Sequence, residues 1–227
     1  MRRLYVCISV LVVMLAMPVV AAAQNPPGQG DGDYYGDYTD YGELNCTENR
    51  GAGSDATYRL SNGDDVFTAG RGDQTVRGRG GDDVIDGGRG DDWLLGQQGE
   101  DTLLGGRGDD RLEGGADDDE IDGGRGLDRI LGGGGGDDIN GGRNSDCLTG
   151  EGGDDIIHGG DVNDIVQGGP GTDRLYGDQV DDELFSIDGE RDVVSCGPGE
   201  DSAWVDQFDT VGASCENVFT AVVAPAP

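Results

Sequence analysis

From Leu60 to Phe185 the chain repeats a nine-residue unit fourteen times without insertion or deletion. The consensus is G-G-x-G-x-D-x-U-x with U apolar, as in Gly87-Gly88-Arg89-Gly90-Asp91-Asp92-Trp93-Leu94-Leu95. Position eight is apolar in every unit, from Phe67 and Val76 to Leu175 and Leu184, and position six is Asp in thirteen of the fourteen, Gln74 being the exception. Repetition of this kind decides the fold before any single strand is assigned. Glycines at positions one, two and four permit positive φ and close backbone approach, so they form a loop, and x-U-x then makes a three-residue strand. One unit is a half-coil and two make an 18-residue coil. Coils stacked at ~4.8 Å put the position-eight side chains between two short parallel sheets, and seven coils predict a rod about 34 Å long. Position three supports the same coil independently, because Arg71, Arg89, Arg107, Arg125 and Arg143 occupy every other unit and fall on one edge.

Such a rod has little to pack. Gly accounts for 46 of 227 residues and aromatics for 6%, so a large jigsaw core is not available. Stacking also brings the position-six aspartates into columns where like charges repel, in a chain whose formal charge is already −32. That charge excludes binding to nucleic acid through phosphate neutralisation. All basic residues are Arg and the single histidine is His158, so a His pair, a His–Cys pair or an amine nucleophile has no candidates. Without counter-ions the rod should not form. Hard divalent cations prefer carboxylate and carbonyl oxygens, and Ca²⁺ tolerates irregular cages better than Mg²⁺. Calcium between a loop and the loop one coil further on would cancel the repulsion and turn binding energy into folding energy.

The units resemble the RTX, or haemolysin-type, calcium-binding nonapeptide repeat. The resemblance implies an all-β, right-handed parallel β-roll with Ca²⁺ between stacked loops. As ligands it implies loop carbonyls and the position-six side chains of Asp65, Asp83, Asp92, Asp101, Asp110, Asp119, Asp128, Asp137, Asp146, Asp155, Asp164, Asp173 and Asp182. Two columns of seven loops predict roughly eight to twelve ions. The column of Asp65, Asp83, Asp101, Asp119, Asp137, Asp155 and Asp173 is complete. The other loses a carboxylate at Gln74 and carries Val162 and Val180 in place of the loop glycine, residues that resist positive φ. Its two ends should therefore hold the weakest sites.

Outside the repeats the chain divides into four parts. Residues 1–23 read as a signal peptide, with Arg2 and Arg3 before an apolar run and Ala21-Ala22-Ala23 at the cleavage site, so the expected destination is extracellular, with no membrane span after cleavage. Residues 24–59 read as a disordered Gly/Asp/Tyr-rich arm. Residues 186–219 carry worn repeats, with Asp192 and Asp201 out of register by one, and residues 220–227 form a tail. Cys196 and Cys215 flank the worn segment, and a bridge between them would close an end that otherwise exposes sheet edges. Cys46 and Cys147 remain, and four mature cysteines allow three connectivities.

No stretch outside the repeats has the length of a catalytic domain, and identical acids repeated up a rod lack the asymmetry of an acid/base pair. A non-enzymatic calcium-binding protein is expected. His158, Trp93 and Trp204 read as surface or packing residues. The Arg edge most simply neutralises Asp73, Asp91 and Asp109. The alternative is a grip on an anionic glycan or cell surface, which would make the chain a calcium-stiffened adhesive rod.

Overall fold

The computed structural model describes residues 56–223, and every regular element in that span is a β-strand. The expected signal peptide, Cys46, most of the expected arm and the last four residues lie outside the described residues. Alternate strands join into a ten-stranded and a nine-stranded sheet. All pairs are parallel, with register steps of 18 such as Ile85 opposite Leu103, Leu103 opposite Ile121 and Ile139 opposite Ile157. The result is the all-β parallel solenoid of 18-residue coils that the repeat requires.

Position eight forms the core. From Val76 to Leu184 these side chains stand in single file between the sheets with at most 1% exposure, and Phe67 closes the first coil half-buried. Alternation does the rest, since the residues at positions seven and nine point outward on each strand.

The strands are longer than three residues. In the middle of the solenoid each has six, as in Val84–Arg89, Thr102–Arg107 and Glu120–Arg125, so positions one to three stay in the sheet and only four to six form the loop. Position two takes positive φ without leaving the ladder, at Gly88 (89°) and also at Gln97 (88°). Val162 and Val180 adopt positive φ as well, at 77° and 73°, held there by the stacked coils on either side.

Both ends extend past the regular units. Ala56–Arg59, placed in the arm by sequence, pairs with Gln74–Arg77 and begins the ten-stranded sheet. After Phe185 the coil stretches and then shortens, with Leu184 opposite Ala203, Val194 opposite Val211 and Ala203 opposite Val218. Val194, Cys196, Ala203 and Val205 continue the core, and the Cys196–Cys215 disulfide closes this end. Cys147 is also disulfide-bonded.

Candidate metal centre

The position-six aspartates form two buried files, one along each row of loops. In each, one carboxylate oxygen is spent on the backbone. Oδ1 of Asp110 accepts the N–H of Asp92 at 2.7 Å, and the N–H of Asp110 donates to Oδ1 of Asp128 at 2.8 Å. The same bond recurs from Asp65 and Asp83 up to Asp182 and Asp201, so each carboxylate is fixed by the coil before it.

The other oxygen has nothing. Oδ2 of Asp83, Asp92, Asp101, Asp110, Asp119, Asp128, Asp137, Asp146, Asp155, Asp164, Asp173 and Asp182 is buried without a hydrogen-bond partner, and so is that of Asp201. Thirteen buried acceptors along two files are costly unless a cation or a proton satisfies them.

Their surroundings leave a space bordered by oxygen atoms. At each position-one glycine from Gly78 to Gly177, the point a Cβ would occupy lies within 3 Å of the Oδ2 five residues on. At Gly123 that point is 2.7 Å from Asp128 Oδ2 and 2.7 Å from the carbonyl oxygen of Gly141 one coil later. Gly87 and Gly159 repeat this with Asp92 and Gly105, and with Asp164 and Gly177. The missing methyl thus leaves a cradle bounded by a carboxylate oxygen from one coil and a carbonyl from the next. Among the described residues no three acidic, Cys or His side chains converge on one point. Each cradle instead mixes one carboxylate with backbone oxygen, a hard-oxygen donor set that fits Ca²⁺.

The charge state agrees. Burial, reinforced by neighbouring carboxylates and only partly offset by the backbone hydrogen bond, pushes Asp110 up to about 8 and Asp146 to about 9. Asp128 rises to about 7 and Asp173 to about 8 for the same first cause. Metal-free, these groups hold protons that a divalent ion would displace.

Of the thirteen candidate ligands, Asp65 stands apart. It is half-exposed, and its Oδ2 accepts from the N–H and hydroxyl of Ser61, both at 2.8 Å. Gln74 bonds its own loop, donating to the Arg71 carbonyl at 3.2 Å. Sequence reasoning left Asp192 and Asp201 off the ligand set, yet both continue the files as buried acids. It also missed position five, where a second acidic ladder runs the opposite way: Asp91 Oδ1 accepts the N–H of Asp109 at 2.9 Å. The available signal was Asp at position five in eight of the fourteen units.

The remaining candidates stay outside the files. His158 stacks on Tyr176 at 4.4 Å and contacts Asp178 at 2.7 Å, Trp93 lies under Arg111, and Trp204 is stacked between Phe185 and Phe219. The neutralisation expected of the Arg edge takes no ion-paired form. Among the described residues, none of Arg71, Arg89, Arg107, Arg125 and Arg143 makes an ion pair.

A parallel solenoid with files of buried, half-satisfied carboxylates facing carbonyls of the next coil is a metal-binding β-roll. The family model of the RTX calcium-binding nonapeptide repeat, built of four copies, matches residues 61–94, 95–130, 121–148, 131–166 and 149–184. These matches span more than half of the chain, which belongs to that family and carries its calcium-binding repeats. A search among curated proteins finds no match to it.

Proposed function

We propose that this chain is an exported, non-enzymatic calcium-binding protein whose repeats fold when Ca²⁺ enters the cradles. The observation that carries this reading is the run of twelve partnerless Oδ2 atoms beside position-one glycines. Asp83 to Asp182 at position six supply the carboxylates, and the position-one residue of the next coil supplies a carbonyl. Eleven of the twelve position-one glycines have both oxygens close by, Gly168 having the carboxylate alone, and this agrees with the upper part of the roughly eight to twelve ions expected. Asp65, already engaged by Ser61, is the weakest of the thirteen candidates. Export rests on the signal-like residues 1–23, and it would deliver the chain to a compartment where calcium is abundant and disulfides persist. The test is far-UV circular dichroism during a Ca²⁺ titration with Mg²⁺ as control. A cooperative change from coil to β with Ca²⁺ alone is expected, and a spectrum indifferent to both Ca²⁺ and EDTA would overturn the reading.

A further inference from the structure

Away from the metal files, the outer face of the nine-stranded sheet carries a trough parallel to the stacking direction. Its floor is position two, where Gly106, Gly124, Gly142 and Gly160 present no side chain until Asp178 closes the far end. One wall is the Arg edge, of which Arg125 and Arg143 line the trough before Asp161 takes over that row. Arg89 pairs in register with Arg107, Arg107 with Arg125 and Arg125 with Arg143, and an isolated bridge adds Arg71 opposite Arg89. Five guanidinium groups thus follow one another at the ~4.8 Å strand spacing over about 19 Å. The other wall is position nine, with Asp86, Asp122 and Asn140 as its polar side chains. The ten-stranded sheet has no counterpart, since Gln97 and Glu151 stand on its floor and Gln98, Ala116 and Gly134 along its edge.

In a chain of charge −32, exposed arginines without ion pairs need a reason. The acids two residues on are tied to the backbone: Asp73 accepts from the Asp91 N–H at 3.0 Å, Asp91 from Asp109, and Asp109 from Leu127 at 2.9 Å. Position six points into the buried files. The guanidinium groups therefore remain available to an outside anion.

We propose that this trough binds a linear acidic polysaccharide, with its anionic groups along the Arg edge and its hydroxyls donating to Asp86, Asp122 and Asn140. The two walls select the polymer. Planar guanidinium groups suit repeated carboxylate or sulfate. The carboxylates opposite repel a chain that is anionic on both flanks, such as polyphosphate or nucleic acid, but accept hydroxyl hydrogen bonds from sugar. This binding rests on the calcium-folded roll proposed above, because only stacking aligns the arginines.

The test uses the full chain with hyaluronan, whose carboxylates alternate with free hydroxyls, and with neutral dextran and polyphosphate as probes, in saturating Ca²⁺ and in EDTA, with circular dichroism on the same samples. Hyaluronan should bind in Ca²⁺ only, and neutral dextran should not bind. Replacing Arg107, Arg125 and Arg143 together by Gln should weaken binding by roughly tenfold or more at an unchanged calcium midpoint, whereas Arg129→Gln on the other sheet should not. If the triple variant loses its β signal, Arg107→Gln and Arg143→Gln singly should show the same loss in smaller steps. Unchanged binding by these variants, equal binding of polyphosphate, or no binding by a chain that calcium folds would overturn the assignment alone. A chain that calcium does not fold would overturn the proposed function as well.

Discussion

The hydroxyl of Ser186 donates to Oδ2 of Asp192 at 2.6 Å, whereas the equivalent oxygen of Asp173 one coil earlier is buried without a partner. Ser186 occupies position one, the place of the cradle glycine, so a side chain fills the last cradle of this file. Ser61 serves Asp65 in the same way at the other end. Hydroxyls thus satisfy the free oxygen near both ends of one file, whose last backbone bond runs from the Asp192 N–H to Oδ1 of Asp209 at 3.1 Å. Ser186→Gly should reopen the final cradle and raise the calcium count of the chain by one, read by equilibrium dialysis. An unchanged count would show that the hydroxyl is not what ends the file.

The reverse change should empty a central cradle. In Gly123→Ala the new methyl would meet Asp128 Oδ2 and the Gly141 carbonyl, both at 2.7 Å. Gly134→Ala puts its methyl in open space, with its nearest contact at 3.9 Å, and serves as the control. Gly123→Ala should lose calcium and move the folding midpoint to roughly tenfold higher Ca²⁺, with Gly134→Ala near wild type. Equal midpoints for the two would place the cation elsewhere in the loop.

Acid should substitute for metal. Asp110 and Asp173 are raised to about 8 in the fold from an unfolded value of 3.8, chiefly by burial. A carboxyl raised on folding contributes stability that is fully present below its unfolded value and is lost as pH climbs through its folded value. In EDTA the chain should therefore show more β structure at pH 4 than at pH 8, with the loss falling between about 4 and 9. Calcium binding near pH 7 should release protons, measurable as a buffer-dependent heat. More metal-free β structure at pH 8 than at pH 4 would contradict this sign.

The stacking was legible because it depends on side chains that cannot vary. Only apolar residues fit the single file from Val76 to Leu184, and in the regular coils a short carboxylate reaches the backbone N–H one coil back, as Asp128 does at Asp110. The six-residue strands were hidden because positive φ at position two, read as a loop signal, only bends a strand that keeps its ladder bonds. The serine caps were hidden for another reason. Ser186 lies six residues before Asp192, whereas Gly123 lies five before Asp128, so a fixed register passes over it. The position-five ladder escaped because its partner is a backbone N–H, which Leu127 supplies as well as Asp109 does.

The disulfide should hold only its own end. Cys196 is fully buried in the core of the last coils, 19 residues before Cys215. Opening a loop of that length costs on the order of 3 kcal/mol. Each coil contacts mainly its neighbours, so the loss should stay local. In calcium, replacing Cys196 and Cys215 together by Ala should raise amide hydrogen exchange across residues 193–221 and leave Ile85 to Ile157 protected. Uniform loss of protection along the solenoid would mean that the roll unfolds as one unit.

Val162 and Val180 offer a gain. Both sit at the loop position where most units have glycine, with φ of 77° and 73°. A β-branched residue is strained there by about 1–2 kcal/mol. Neither side chain recovers much by burial, being 43% and 47% exposed. Glycine removes the strain but gives the unfolded chain more freedom, at about 0.5–1 kcal/mol. The balance favours Val162→Gly and Val180→Gly by about 0.5–1 kcal/mol each. Leu127 is 48% exposed in an earlier loop of the same row and lacks positive φ, so Leu127→Gly carries the entropy cost with no strain to relieve. Thermal unfolding in saturating calcium should place the two valine variants above wild type and the leucine variant below it. If all three variants fell together, chain entropy would outweigh strain at these loops, and the valines would be neutral substitutes for glycine.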